Sequence, residues 1–177
     1  MNKLSGIGLF LALCIGTGVH ADELMSHAGN TAETNSDERQ LVNYPDMVKA
    51  HVLANMRGHL QTIADIMDAL AKAQYNQAAD MADMRLGMES TGAAGCRMGG
   101  GKGEMGMMSE ASHLDRQMSM LMPEEMRKLG QNMHRSANEF AIIARNAAIN
   151  GNSSAPIQAL GNVMKQCAAC HAAYRLN

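Results

Sequence analysis

Apolar side chains recur at helical spacing along most of this chain. In the first such stretch they step by three and four positions in turn, at Leu53, Met56, Leu60, Ile63, Met67 and Leu70. This spacing places the side chains on one face of a helix and is typical of the packed seam of a helical bundle. We therefore predict helix A over residues 45–73, with Pro45 in its first turn.

Two further segments continue the pattern. Helix B is predicted over residues 76–89, where the contrast is weaker because its inward positions are mostly alanine: Ala79, Ala82 and Leu86. Helix C is predicted over residues 123–150, between Pro123 and Gly151, because proline suits a helix start and glycine a helix end. Its inward positions are Met126, Leu129, Met133, Phe140 and Ile143.

The last segment is helix D, which follows Ser153 and Ser154 and has Pro156 in its first turn. Its regular positions are Ile157, Leu160, Met164, Cys167, His171 and Tyr174. Residues 90–122 are rich in glycine and methionine and predict a loop with a short helix over 109–121. Only 3% of the residues are aromatic and none is tryptophan, which argues against a β-sandwich. The predicted fold is all-α, an antiparallel four-helix bundle.

The sequence Cys-Ala-Ala-Cys-His at residues 167–171 carries the clearest chemistry. Residues three apart share a helix face, so the thiols of Cys167 and Cys170 can reach the two vinyl groups of one porphyrin. The following His171 supplies an imidazole, a common axial ligand of haem iron. This C-terminal CxxCH motif is the attachment signature of a c-type haem. It predicts one covalent haem c, with its iron, as the cofactor.

Other interpretations of the motif account for less of it. A thioredoxin-like CxxC expects a βαβ setting, and no strand pattern lies nearby. A zinc site would need a second pair of ligands at metal spacing. A disulfide between Cys167 and Cys170 would leave the histidine unexplained.

The start of the sequence predicts secretion. Lys3 precedes an apolar run over residues 7–15 that is too short to span a bilayer, and small residues follow at 19 and 21. We predict a signal peptide over residues 1–21, a flexible polar tail over 22–44, and a periplasmic protein without a membrane span. The charges are balanced, with 15 basic and 17 acidic residues, and scattered, so nucleic acid is not an expected partner.

The seam of helix D places the haem inside the bundle, with its edge partly open. In an up-down-up-down bundle the end of helix D lies beside the start of helix A, so the group across the haem is expected from the first turns of helix A. The candidates are Val52 and Met56, with His51, expected to be exposed, and His59 nearby. His134 on helix C is expected to be a partly buried structural histidine.

Four helices with CxxCH near the end of the last, followed by Tyr174 and Arg175, resemble the cytochrome c-prime family, the class II c-type cytochromes. The resemblance covers residues 45–177, the expected cytochrome domain. It implies that His171 is the fifth iron ligand. Low-spin members of the family carry a helix A methionine on the iron, which makes Met56 the first choice here, and act as electron carriers. High-spin members leave the sixth position empty and bind NO or CO.

The resemblance leaves several roles open. The sixth iron ligand is Met56, His59 or none. Arg175 either pairs with a haem propionate or is an ordinary basic residue of the last helical turn. Family members are often homodimers, so a homodimer is one expected state of this chain.

Two functions follow from these residues: a periplasmic carrier of single electrons that meets redox partner proteins, or a haem protein that binds a small gas. A third idea is a Cu(I) site, because the loop between helices B and C presents soft sulfur donors at Cys96, Met98, Met105, Met107 and Met108. No nucleophile with its base, carboxylate pair or phosphate loop stands out, so we do not expect an enzyme.

Overall fold

The structure is a computed structural model, and it describes residues 37–97 and 109–177. Residues Glu38–Asn177 form one compact unit. The predicted signal peptide, most of the predicted tail and the loop methionines at 98, 105, 107 and 108 lie outside the described residues. The described part is mostly helical, which confirms the all-α prediction.

Five α-helices, one 3₁₀ helix and two short strands make up the described chain. The helices are α1 (Asp46–Ala71), α2 (Tyr75–Arg85), the 3₁₀ helix (Thr91–Cys96), α3 (Glu110–Leu121), α4 (Glu124–Asn150) and α5 (Ser154–Ala173). The strands are β1 (Gln40–Val42) and β2 (Tyr174–Leu176). Helices A and C and the short helix before Pro123 were predicted to within two residues at each end. Helix B was predicted to run four residues too far, and helix D was wrongly extended through Tyr174.

Local chemistry explains where several helices begin and end. Pro45 and Pro123 directly precede α1 and α4 with φ near −55° and −54°, the angle that proline favours before a helix. Ser109 caps α3 because its hydroxyl accepts a hydrogen bond from the Ser112 N–H at 3.3 Å. Gly151 ends α4 with φ of 72°, a left-handed conformation that glycine adopts without strain.

The two strands pair in parallel, with Gln40 opposite Tyr174 and Val42 opposite Leu176. Val42 and Tyr44 are buried, at 3% and 2% exposure. The prediction of a flexible tail through residue 44 is therefore wrong for residues 40–44. No signal in residues 40–44 alone indicated this pairing, because the partner strand lies more than 130 positions later.

The tightest packing joins α4 to α5, α4 to α2, and α2 to α1. The buried residues at these contacts form what we call the alanine core, in which small side chains surround Ile66, Phe140 and Val163. Its members are Ile63, Ile66, Ala69, Ala78, Ala79, Ala82, Leu86, Met133, Ala137, Phe140, Ala141, Ala144, Ala159, Leu160 and Val163. Within the described ranges, α1 and α5 make little direct contact. The gap between these two helices positions the candidate site.

The seam predicted for α1 is only partly buried. Ile63 is buried, but Leu60 is 70% exposed and Met67 is 54% exposed. The buried face of α1 instead carries Val48, Val52, Thr62, Ile63, Ile66 and Ala69. The predicted seam is therefore only partly correct, because α1 packs mainly on α2 and α3 and makes little direct contact with α5. None of the described helices has the length and apolar character needed to cross a membrane.

Candidate functional site: a methionine-lined cavity at the CxxCH motif

A cavity of about 410 Å³ opens between α1 and α5, within the range of small-molecule and cofactor sites. Its walls come from α1, the 3₁₀ helix, α3, α4 and α5. Most lining side chains are apolar or contain sulfur: Val52, Leu53, Met56, Leu60, Ile63, Cys96, Met118, Met122, Met126, Leu129, Met133, Met164, Cys167 and Cys170. Such a lining suits a large apolar ligand better than a small polar one.

The α5 wall carries the whole CxxCH motif. Cys167, Cys170 and His171 all line the cavity. Both cysteines are free thiols and are half-buried; the Cys167 Sγ–H donates to the Val163 carbonyl oxygen at 3.7 Å. Burial raises the pKa of both thiols. His171 lines the cavity but is exposed, so the prediction that it faces the packed core is wrong. Val163 and Leu160 carry that contact instead.

The α1 wall brings the predicted distal candidates to the same cavity. Val52 is buried, Met56 and His59 are half-buried, and all three line the cavity that His171 also lines. Leu60 lines it as well while remaining mostly exposed. Residues that looked like a packed seam in the sequence therefore surround a space. This difference arises because a helical repeat shows which side chains share a face but not what fills the space in front of them.

His51 does not line the cavity, and it is not exposed as expected. Its side chain is 17% exposed, and its Nε2 lies 2.7 Å from the Asp115 Oδ1. The Asn55 Nδ2 lies 3.3 Å from the same ring nitrogen. His51 and Asp115 therefore tie α3 to α1 and hold α3 against the cavity.

Two imidazoles meet at the inner end of the cavity. The rings of His59 and His134 are edge to face with centroids 5.4 Å apart. His134 is 1% exposed, and its Nδ1 lies 2.6 Å from the Leu86 carbonyl oxygen, so Nδ1–H donates and the ring is held as one tautomer. The Nε2 of His59 is buried and has no hydrogen-bond partner among the described residues. Both His134 and His59 lie in the cavity lining.

Burial governs the charge of this pair. It lowers the pKa of His59 to about 4, with a smaller contribution from His134. Burial also lowers the pKa of His134, partly opposed by the hydrogen bond to Leu86. Both rings are therefore neutral near neutral pH, the form in which an imidazole nitrogen can accept a hydrogen bond or bind a metal.

The up-down-up-down order expected from the sequence places the loop between helices B and C, which contains Cys96, at the haem end of the bundle, but it names no neighbours for the thiol. Cys96 is 8% exposed and lines the cavity. A Cβ at Gly130 would lie 2.6 Å from the Cys96 Sγ, so the absent side chain of Gly130 leaves room for the thiol. Burial, reinforced by the nearby Cys170, raises the pKa of Cys96 to about 11. The sequence did not indicate that Gly130 and Cys170 would lie beside this thiol.

The buried residues beside Cys96 form what we call the methionine cluster. Its members are Val42, Tyr44, Val48, Val52, Cys96, Met118, Met122 and Met126. Met56, Cys170 and Tyr174 pack against it. Burial, reinforced by Cys96 and Cys170, raises the pKa of Tyr44 to about 12. The cluster thus connects residues 42–44 to the CxxCH motif.

The basic residues at the site also differ from expectation. Arg175 lies on β2 opposite Leu41 and not on a helical turn after His171, and it is not part of the cavity lining. Arg57, directly after Met56, does line the cavity and is exposed. It is the only permanently charged side chain in the lining formed by the described residues. Its position beside Met56 in the sequence was the available signal.

Within residues 37–97 and 109–177, no group of three or more His, Cys, Asp and Glu side chains is arranged to hold a metal ion. Comparisons with protein-family models, curated proteins and solved structures find no match to this chain.

Proposed function

We propose that this chain is a periplasmic c-type cytochrome that carries single electrons. In this proposal Cys167 and Cys170 hold one haem c through thioether bonds, and His171 is its axial ligand. Helices α1, α2, α4 and α5 form an antiparallel four-helix bundle of the cytochrome c-prime kind around the cofactor. Its partners are redox proteins of the periplasm.

One observation carries the proposal. Both thiols and the imidazole of the CxxCH motif line a single cavity whose remaining walls are mostly apolar and include Met56. CxxCH alone is a short motif, but a thioredoxin-like or zinc site would have no use for an apolar cavity of about 410 Å³ beside it.

The exposure of several lining side chains also supports a large apolar ligand in the cavity. Leu60 is 70% exposed, Met164 is 48% exposed and Leu53 is 36% exposed, although all three line the cavity. Single exposed apolar residues are ordinary, but three around one cavity indicate a surface that a ligand covers. A porphyrin attached at Cys167 and Cys170 supplies that cover.

The chain's own residues have clear roles in such a site. When bound, the haem supplies one-electron exchange between ferric and ferrous iron. An imidazole and a thioether are uncharged iron ligands, so neither His171 nor Met56, the first choice for the sixth position, would add charge to the site when the iron changes oxidation state. The apolar lining excludes water, which influences the reduction potential. Arg57 is placed to balance the negative charge of a propionate.

The decisive experiment compares cysteine variants of the mature chain, expressed in a host with working cytochrome c maturation. The double variant C167A/C170A should yield colourless protein with the mass of the bare polypeptide. The matched control is C96A, which removes the third thiol of the same cavity and should keep the haem. Absence of covalent haem from the unmodified chain would overturn the proposal.

A further inference from the structure

The segment before α1 encloses the end of α5. Asn177 binds Tyr44 twice: its Oδ1 accepts from the Tyr44 N–H and its Nδ2 donates to the Tyr44 carbonyl oxygen, both at 3.2 Å. The Asn177 N–H donates to the Val42 carbonyl oxygen at 3.3 Å. Together with the pairing of β1 and β2, these bonds join residues 39–44 to residues 174–177. We call this arrangement the clasp.

The clasp reaches the CxxCH motif directly. The Arg39 Nη1 donates to the backbone carbonyl oxygen of His171 at 3.3 Å. Cys170 packs against the methionine cluster, which contains Tyr44. β2 begins at Tyr174, immediately after α5 ends at Ala173. The clasp therefore contacts the backbone of the motif at His171, packs near its Cys170 side chain, and pairs with the residues that follow the motif.

The position of His171 in α5 makes these contacts consequential. Only two residues of the helix follow His171. The carbonyl groups of a last helical turn have no partner within the helix, and such turns fray. An axial ligand must nevertheless keep a fixed orientation, because the groups that hold it tune the iron. The Arg39 bond satisfies one of these carbonyls, and β2 anchors the chain beyond it.

We propose that the clasp is a positioning element that holds His171 in place as the axial ligand of the haem. This inference rests on the proposed function, since it assigns the clasp a role toward the same cofactor. Tyr44 and Asn177 form its central contact, and neither lines the cavity. They act on the iron ligand through the backbone of residues 170–176 and are not ligands themselves.

The test uses the holoprotein and the variant N177A, which removes both side-chain bonds to Tyr44. The matched control is N138A. Asn138 also makes two side-chain hydrogen bonds, to the Met88 N–H and the Asp83 carboxylate, but it does not line the cavity or contact the clasp. N177D keeps the acceptor for the Tyr44 N–H and loses the donor, so it should lie between the wild type and N177A.

We expect amide hydrogen exchange of residues 171–176 to be about tenfold to about a hundredfold faster in N177A, since two hydrogen bonds are lost and each is worth a factor of roughly three to ten. We also expect a shifted reduction potential and an altered axial-ligand spectrum in N177A but not in N138A. If amide exchange is faster in N177A but its reduction potential and axial-ligand spectrum equal those of N138A, the clasp has a purely structural role and the inference is overturned. Unmodified protein without haem would overturn the proposed function instead, so the two failures are distinguishable.

Discussion

The two ends of this helical unit are packed on different principles. In the alanine core α4 packs closely on α2 and on α5, and α2 packs on α1, because small side chains let helix backbones approach. At the other end, the methionine cluster and the cavity hold α1 and α5 apart. The three longest helices, α1, α4 and α5, contribute residues to both regions. Side-chain size thus decides where the helices pack closely and where they leave a cavity for a ligand.

The difference also concerns how well each end specifies its shape. Phe140 is completely buried among alanines, and protein interiors of this kind tolerate little loss of volume. Methionine is flexible and fills irregular space, so a wall of Met118, Met122 and Met126 can adapt to a bound group. We expect mutations to act on stability in the alanine core and on ligand properties at the cavity.

The strongest way to break this comparison is F140A. It removes the largest side chain of the alanine core and should cost about 3–5 kcal/mol in the free energy of unfolding, measured with urea. I142A is the control, since Ile142 lies on the same helix and is 60% exposed; it should cost less than about 0.5 kcal/mol. Covalent haem, measured by mass, should remain in both variants. A loss in the free energy of unfolding below about 1 kcal/mol for F140A would show that the alanine core is not tightly packed.

The second prediction, an effect of intermediate size, concerns the dependence of stability on pH that His59 causes. Its pKa is lowered to about 4 in the folded chain, below the ordinary value of about 6.5. At a pH between these two pKa values, the unfolded chain binds more protons than the folded chain. The contribution of His59 to the free energy of unfolding is therefore complete above about pH 6.5 and decreases as the pH falls toward about 4. We expect a loss of about 2 kcal/mol between about pH 7 and about pH 5.

The variant H59Q isolates this contribution. It should be less sensitive to acid over the same range, with the remainder due to other groups that include His134, whose pKa is lowered in the same direction. Urea unfolding at the two pH values measures it. An identical pH dependence in H59Q and the unmodified holoprotein would contradict the burial of His59 as a neutral ring.

The smallest effect on stability, and the most specific effect on the cofactor, is expected from M56A. Met56 is half-buried at the cavity, so its loss should cost about 1 kcal/mol. If its thioether is the sixth ligand, the optical spectrum should change from low-spin to high-spin, and CO should bind only to the variant. The control M164A changes another cavity methionine, on α5, and should stay low-spin.

The same spectra distinguish the two functions. A low-spin unmodified protein that ignores CO supports electron transfer. A high-spin unmodified protein that binds CO would instead support the gas-binding alternative and would remove Met56 as a ligand.

Much of the fold could be predicted because helix signals are local. Pro45, Pro123 and Gly151 mark helix boundaries that the structure reproduces. The seam of α1 was less predictable: Leu60 and Met67 share the spacing of buried residues but are exposed. Periodicity identifies a face, whereas its burial depends on the neighbouring helix.

The candidate site divides in the same way. The CxxCH residues could be found from the sequence because their spacing along one helix is itself the signal. Tyr44 could not, because it reaches the site only through contacts distant in the sequence. The bonds between Tyr44 and Asn177 connect positions 133 apart.

The sequence by itself determined that this protein is helical and that residues 167–171 carry a CxxCH motif, because helical repeats and a five-residue motif are both encoded over short distances. Only the tertiary structure decided that α1 and α5 stand apart, which sulfur and imidazole groups surround the space, and that residues 39–44 close over the end of α5. These properties depend on how distant segments pack, and packing is set by the combined shapes of many side chains.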